Sequence, residues 1–527
     1  VKRLLAAILL LLAAAAARAD LLGDMQQAVK GGNFEAVQEF LGRGFDANAT
    51  DADGNSLLML AVKEGHGDIA RALVDAGAQV DARNRYGDTP LMLAALKGNK
   101  DLTLYLLDKG AALKQTGWAP LLYASYNGHA EIAEILLRRG ADPNERAPNG
   151  TTPLMLAAKS GSAELVDVLL RHGANPSLKN DDNKTAADWG NETQNTDAAK
   201  KVARAAALLS QALEAVKGGQ PETLKRALDA GLDPNSADPE GNSLLMVAAR
   251  EGFPSVAELL LRRGARAAQA NGAGETPLSV AAYRGHDDTV KVLLQHGATL
   301  KDSDPDALIY ATMNCWDGAA KVLVEHGADL NRQDGEGHTA LILAARNGCP
   351  GIVRLLLERG ADDLIADKSG KTALAWAGEM GEGEAADLLA ASAIRRFVHQ
   401  WYLSMDLLAD EELYLGSLDE KDLMMHMPEK TLRSRADFQK WYQGLRTTVE
   451  DNAHLIGEIT VAKNAAGRFE VGFVDDWRAT TFKGESWEQR FLNRWEVAVT
   501  PDGRVVVHRV RMERAVEGNA VSPEPAS

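Results

Sequence analysis

A chain of 527 residues with 74 acidic and 58 basic side chains carries a formal charge of −16 at pH 7. That balance repels phosphate backbones and anionic membrane surfaces, and basic pairs such as Arg262-Arg263 are diluted by neighbouring carboxylates, so nucleic acid is excluded as a partner. The length allows several domains.

At the start of the chain, Lys2-Arg3 precede an apolar run from Leu4 to Ala17, and Ala17-Arg18-Ala19 is a small-x-small triplet before Asp20. This is the pattern of a secretory signal cut between Ala19 and Asp20. The run falls short of the roughly 20 apolar residues of a spanning helix. Val1 fits an alternative start codon. The expectation is an exported bacterial protein, periplasmic or secreted, with no stable membrane insertion after cleavage.

From residue 21 onward one pattern returns at about 33 residues. It reads Gly87-Asp88-Thr89-Pro90-Leu91 with Leu106-Leu107-Asp108-Lys109-Gly110-Ala111, then Gly150-Thr151-Thr152-Pro153-Leu154 with Leu169-Leu170-Arg171-His172-Gly173-Ala174, then Gly274-Glu275-Thr276-Pro277-Leu278 with Leu293-Leu294-Gln295-His296-Gly297-Ala298. Threonine opens a helix, proline occupies its first turn, the leucine pair fills a core from a second helix, and glycine ends that helix. The pattern resembles the ankyrin repeat over roughly residues 21–391. His66, His129 and His286 fall in its Gly-His context, where the imidazole ties the helix turn, and finger residues such as Asp51 and Asp142 form turns and caps.

A second regularity lies above the first. Ala28-Val29-Lys30-Gly31-Gly32 returns as Ala215-Val216-Lys217-Gly218-Gly219, and Trp189 as Trp376, at a constant offset of 187 residues without gaps. The reading is a tandem duplication into two arrays, 20–206 and 207–391. The finger from Gly110 to Pro120 is three residues shorter than its neighbours, as is Gly297 to Ala307. Between the arrays, Ala198 to Lys217 is rich in Ala, Leu and Lys and is expected to carry helix across the junction.

Ankyrin resemblance implies recognition of a protein or peptide by fingers and by the concave face of the first helices. Alignment of the units puts Leu60, Leu93, Tyr123, Leu156, Val280 and Tyr310 at one concave position, with Tyr126, Tyr283 and Met313 one helical turn further; these are the expected partner contacts. Cys315 and Cys349 fall in inter-helix turns of adjacent units, and a disulfide between them suits an oxidising compartment.

After residue 391 the pattern stops, and five of the nine tryptophans lie in the remaining stretch. Ile394, Phe397, Val398, Trp401 and Tyr402 have helical spacing, as do Phe438, Trp441 and Tyr442. Strands are expected over His454–Val461, Arg468–Trp477, Trp487–Val499 and Arg504–Met512. Helices followed by a long meander, with Phe397-Val398-His399-Gln400-Trp401-Tyr402 and Asp437-Phe438-Gln439-Lys440-Trp441-Tyr442, resemble the nuclear-transport-factor-2-like cone fold, which includes SnoaL-like and ketosteroid-isomerase-like domains. The resemblance implies either a pocket or an interaction surface, self-association included. His454, Glu470 and Trp477 are the pocket candidates, with His508 behind them, although a strand-edge histidine is commonly just hydrogen-bonded and a tryptophan stripe is commonly core.

The expected fold is therefore mostly α: about twelve ankyrin units in two duplicated halves, then a small α+β cone domain with a curved antiparallel sheet over 392–515, then a disordered tail over 516–527. There is no Gly-rich phosphate loop, nucleophile elbow or His-Glu-x-x-His, so no catalytic residue, metal ligand or cofactor is expected. The functional expectation is a periplasmic protein-binding scaffold. Its alternative is an enzyme or small-molecule-binding protein with its pocket in the cone.

Overall fold

The computed structural model describes residues 21–115, 117–300, 307–381, 383–500 and 502–515. The expected signal, its cleavage point at Ala19 and Asp20, and the tail over 516–527 lie outside the described residues. The chain divides between Gly274 and Glu275 into two compact units.

In the first unit, helices come in pairs. Ser56 Oγ accepts from Met59 N, and Thr89 and Thr152 cap Met92 N and Met155 N in the same way. Pro90, Pro120 and Pro153 occupy first turns, where a missing N–H breaks no helical bond. The helices they open are buried on nearly every side, whereas second helices such as Gly67–Asp75 and Ala163–Arg171 bury one stripe, centred on Ile69 and Leu73 or on Leu165 and Leu169.

Adjacent pairs are tied twice. At the inter-helix turns, His66 Nε2 lies 3.1 Å from Lys30 O and His129 Nε2 lies 3.0 Å from Leu96 O. A Cβ on Gly98, whose φ is +70°, would fall 2.7 Å from the His129 ring, so glycine is what lets the imidazole lie against the turn. In the fingers, Asn48, Asn144 and Asn235 each donate to a glycine carbonyl of the next unit and accept from a backbone N–H 31 residues on.

The junction between the arrays is one helix of 22 residues, Thr196–Lys217, and residues 206 and 207 lie inside it. It packs on helices of both arrays, against Ala163–Arg171 and Ala186–Glu192 before it and Pro221–Asp229 and Leu244–Glu251 after it. Buried Asn175 adds a cross-tie, its Nδ2 donating to Ala237 O at 2.9 Å and Asp238 O at 3.0 Å. Asn175→Ala is expected to lower the unfolding free energy by about 1–3 kcal/mol, because two carbonyls lose their donor. Urea unfolding followed by circular dichroism measures this, and an unchanged midpoint would show that the helix alone holds the junction.

The second unit opens with three helix pairs, Pro277–Arg284 with Asp287–Gln295, Ala307–Met313 with Asp317–Glu325, and Ala340–Asn347 with Pro350–Glu358. Here Trp316 takes the histidine's place, its Nε1 donating to Tyr283 O at 2.9 Å. Helix Ala373–Met380 follows, and then Glu384–Asp406, 23 residues long. Its early turns pack on Pro350–Glu358, while Val398, Trp401, Tyr402 and Met405 are buried in the terminal domain. The boundary expected at 391/392 thus falls within a helix that the repeat and the sheet domain share.

The sheet has seven strands: β1 Met424–His426, β2 Thr431–Leu432, β3 Val449–Ile456, β4 Thr460–Lys463, β5 Phe469–Thr481, β6 Ser486–Val499 and β7 Val505–Arg514. Their order is β2-β1-β7-β6-β5-β3, with β4 also paired to β5. Two features correct the expected antiparallel meander. β1 runs parallel to β7, so the sheet is mixed, and the first expected strand is broken at Gly457 into β3 and β4. Helices Glu384–Asp406 and Arg435–Thr448 cover one face, where Trp401 meets Trp495 at 5.6 Å and Tyr414 at 4.8 Å between ring centres. No described helix is long and apolar enough to cross a membrane.

Candidate functional site

Two places offer chemistry: the exposed aromatic side chains of the first helices, and the interior of the sheet domain. On the helices, the expected apolar strip separates by exposure. Leu60, Leu156 and Val280 are buried, at 3, 3 and 8 % exposure, and cannot offer contact area to a partner. For Leu156 the reason is visible, since it packs with Leu122 and Ala147 beneath Trp118 and Trp189. Leu93, Tyr123 and Tyr310 are half-buried. Tyr126, Tyr283 and Met313 stand out at 54, 47 and 41 %.

The shortened finger explains the tyrosines of the first unit. It brings Trp118 edge-on to Tyr123 and Tyr126, with ring centres 5.6 and 6.3 Å apart. Tyr123 donates its hydroxyl to Asp88 of the preceding unit, and burial together with that carboxylate holds the phenol above its ordinary range. Close by in the next finger, burial, with Asp142 adding to it, pushes Glu145 up to about 8. In the second unit, Tyr283 and Tyr310 meet edge to face at 6.1 Å, and Trp316, anchored on Tyr283 O, is 41 % exposed. The neighbouring turns hold Cys315 and Cys349, joined as a disulfide with Cα atoms 5.3 Å apart.

Inside the sheet domain a cavity of about 50 Å³ lies among Trp401, Tyr402, Trp477, Trp495 and four methionines, and its ionisable linings among the described residues are Tyr402, His454 and Asp475. Strand alternation decides which side chains reach it. Phe469, Val471, Phe473 and Asp475 face inward on β5, so Glu470 faces outward into a groove with Arg494 and Arg509, and the pocket role expected of it is corrected. Trp477 and His454 are cross-strand partners and stack at 5.7 Å. Trp477 Nε1 donates to Asn452, whose Nδ2 donates to Met405 O. His508 pairs with Asp419 and does not line the cavity.

His454 is held between two carboxylates, with Nδ1 2.5 Å from Asp406 Oδ1 and Nε2 3.9 Å from Asp475 Oδ2. Asp406 is the last residue of the shared helix. Asp475 is 1 % exposed and neither of its oxygens has a hydrogen-bond donor among the described residues. Burial pushes its carboxyl up to about 7, His454 opposing and Asp406 and Asp476 adding to the rise. Burial, with Asp475 nearby, likewise holds the Tyr402 hydroxyl well above its usual range.

A family model described as ankyrin repeats in three copies matches residues 25–116, 79–147, 121–207, 212–304 and 308–396. The chain belongs to the ankyrin-repeat family. No curated protein matches it in sequence. Ankyrin repeats generally mediate protein–protein interaction, and the matches stop at residue 396, inside the helix that enters the sheet domain. The ankyrin surface and the cavity therefore belong to differently built parts of the chain. Of the cavity's ionisable residues, sequence reading found His454 and missed Asp475 and Tyr402, and it missed Asp406, which holds His454 from behind. The available signal was one acid in an inward series otherwise made of Phe469, Val471, Phe473 and Trp477.

Proposed function

We propose that this ankyrin-repeat protein is an exported scaffold that holds a protein or peptide partner on the first helices of its repeats. The observation that carries the reading is the exposure of Tyr126, Tyr283 and Met313, one helical turn beyond half-buried Tyr123 and Tyr310. Tyrosine offers wide contact area with few rotors to freeze. Export and a non-enzymatic role belong to the same proposal, supported by the basic-apolar start of the sequence and by the acidic balance of the chain. Self-association through the sheet domain is a further part of it. A second reading, a small-molecule pocket in that domain, is favoured by Asp475, a buried acid facing a cavity with no hydrogen-bond donor to it among the described residues.

The scaffold reading predicts that Tyr126→Ala combined with Tyr283→Ala weakens partner capture from envelope extracts by tenfold or more, about 1.4 kcal/mol, with circular dichroism unchanged. Undiminished capture by the double variant would remove these helices as the binding face. Fractionation of the full chain expressed in a bacterium tests export, and retention in the cytoplasm would withdraw that part.

A further inference from the structure

We propose that the cavity of the sheet domain binds an uncharged, largely apolar molecule bearing one hydroxyl, a phenol or an alcohol, with the hydroxyl donating to Asp475. The inference is independent of the scaffold reading and rests on the second reading, a small-molecule pocket in the sheet domain, whose ligand class it names.

Three observations carry it. First, a carboxylate that is 1 % exposed normally collects donors, yet no described residue supplies one to either oxygen of Asp475. His454 is the nearest side chain with a ring nitrogen, and its Nε2 stays 3.9 Å away while Nδ1 is engaged by Asp406. Second, the inner chamber is too small for a ring, but it shares Met427, Trp441, Leu445, Trp477, Phe491 and Met512 with a wider opening of about 490 Å³. An apolar body seated among these side chains can send a hydroxyl inward. Third, the walls are adaptable. Met405, Met425, Met427 and Met512 line the chamber, and unbranched thioether side chains re-pack around a ligand at little cost.

The same features exclude other ligands. An anionic group in the inner chamber would meet the carboxyl group of Asp475, with that of Asp406 behind His454, while Lys430 and Arg514 line only the outer opening. A purely hydrocarbon ligand would leave Asp475 without a donor, and a carbonyl or ether could only accept from its protonated form. A hydroxyl donor prefers the carboxylate form, so its affinity rises with pH through the range near 7 in which Asp475 ionises. The groups facing Asp475 from the packed elements are His454 on β3 and Asp406 and Tyr402 on the shared helix, with Asp476 adjacent on β5 and paired to Arg490.

Calorimetric titration of the full chain with p-cresol and with 4-methylanisole, its O-methylated counterpart, tests the proposal. Saturable binding of p-cresol is expected to tighten about tenfold between about pH 5.5 and pH 8.5, with 4-methylanisole at least tenfold weaker at the upper pH and without that rise. Asp475→Asn should remove the pH dependence. Equal affinities for the two probes at all pH values, tightening towards acid, or no saturable binding of p-cresol would each overturn the proposal, and all three are read on the unsubstituted protein.

Discussion

Asn in place of Asp475 is expected to remove a pH-dependent loss of stability of roughly 3 kcal/mol between about pH 4.5 and pH 8. The folded carboxyl titrates at about 7 against 3.8 for the ordinary group. Below the ordinary value both states are protonated and the group costs nothing extra. As pH rises through the gap the unfolded chain releases its proton while the folded chain retains it, so stability falls, and above the folded value the loss is complete. Other acids of the same domain have the opposite sign. Gln443 and its neighbours hold Glu411 down at about 2, and Arg490 holds Asp476 below the usual range, so both favour the fold as pH rises from acid. The decisive quantity is therefore the difference between the wild-type and Asp475→Asn profiles, measured by urea unfolding with near-ultraviolet circular dichroism reporting the tryptophan-rich core. The difference should widen in favour of the variant as pH rises. Parallel profiles would mean that Asp475 finds donors in solution, and the ligand proposal would lose its first support.

The repeat architecture was legible because each unit repeats the same local physics. Thr89, Thr152 and Thr276 announce helix starts, and the caps observed at these residues are the ones their side chains imply. The His66 and His129 ties were readable for the same reason. Exposure was harder to read than position. Leu60, Leu156 and Val280 align with Tyr123 and Tyr310, but these three side chains stay within the core, whereas Leu93 and the two tyrosines at the same position are half-buried. The sheet domain was legible in its long strands and opaque in its short ones. β1 and β2, with three and two residues, are too brief to show alternation, and their pairing depends on contacts distant in sequence. Asp475 escaped notice because it stands beside Asp476, which pairs with Arg490 on the outer face, and an Asp-Asp pair read along the chain resembles a solvated turn. Only the parity set by Phe473 and Trp477 separates the two.

Reduction of the Cys315–Cys349 disulfide should loosen the repeats it joins by about 3–4 kcal/mol, the chain-entropy value for a closed loop of this length. The bond links the turn before helix Asp317–Glu325 to the residue that begins helix Pro350–Glu358, and Cys315 reaches it from a left-handed backbone with φ of +55°. Cys349 is buried while Cys315 is exposed, so a reductant can approach from the Cys315 side. In a repeat array each unit leans only on its neighbours, and the loss should therefore stay local. Hydrogen exchange with and without dithiothreitol is expected to accelerate in Ala307–Met313, Asp317–Glu325 and Ala340–Asn347 while the helices of residues 21–274 keep their protection. Cys349→Ser should reproduce the reduced pattern. The same local loosening reaches Tyr283, whose carbonyl anchors Trp316 next to Cys315, so under the proposed scaffold function partner capture should weaken in step with reduction. If exchange accelerates uniformly along the chain, or not at all, the bond does not act as a staple between two units, and the argument that it suits an oxidising compartment loses its structural basis.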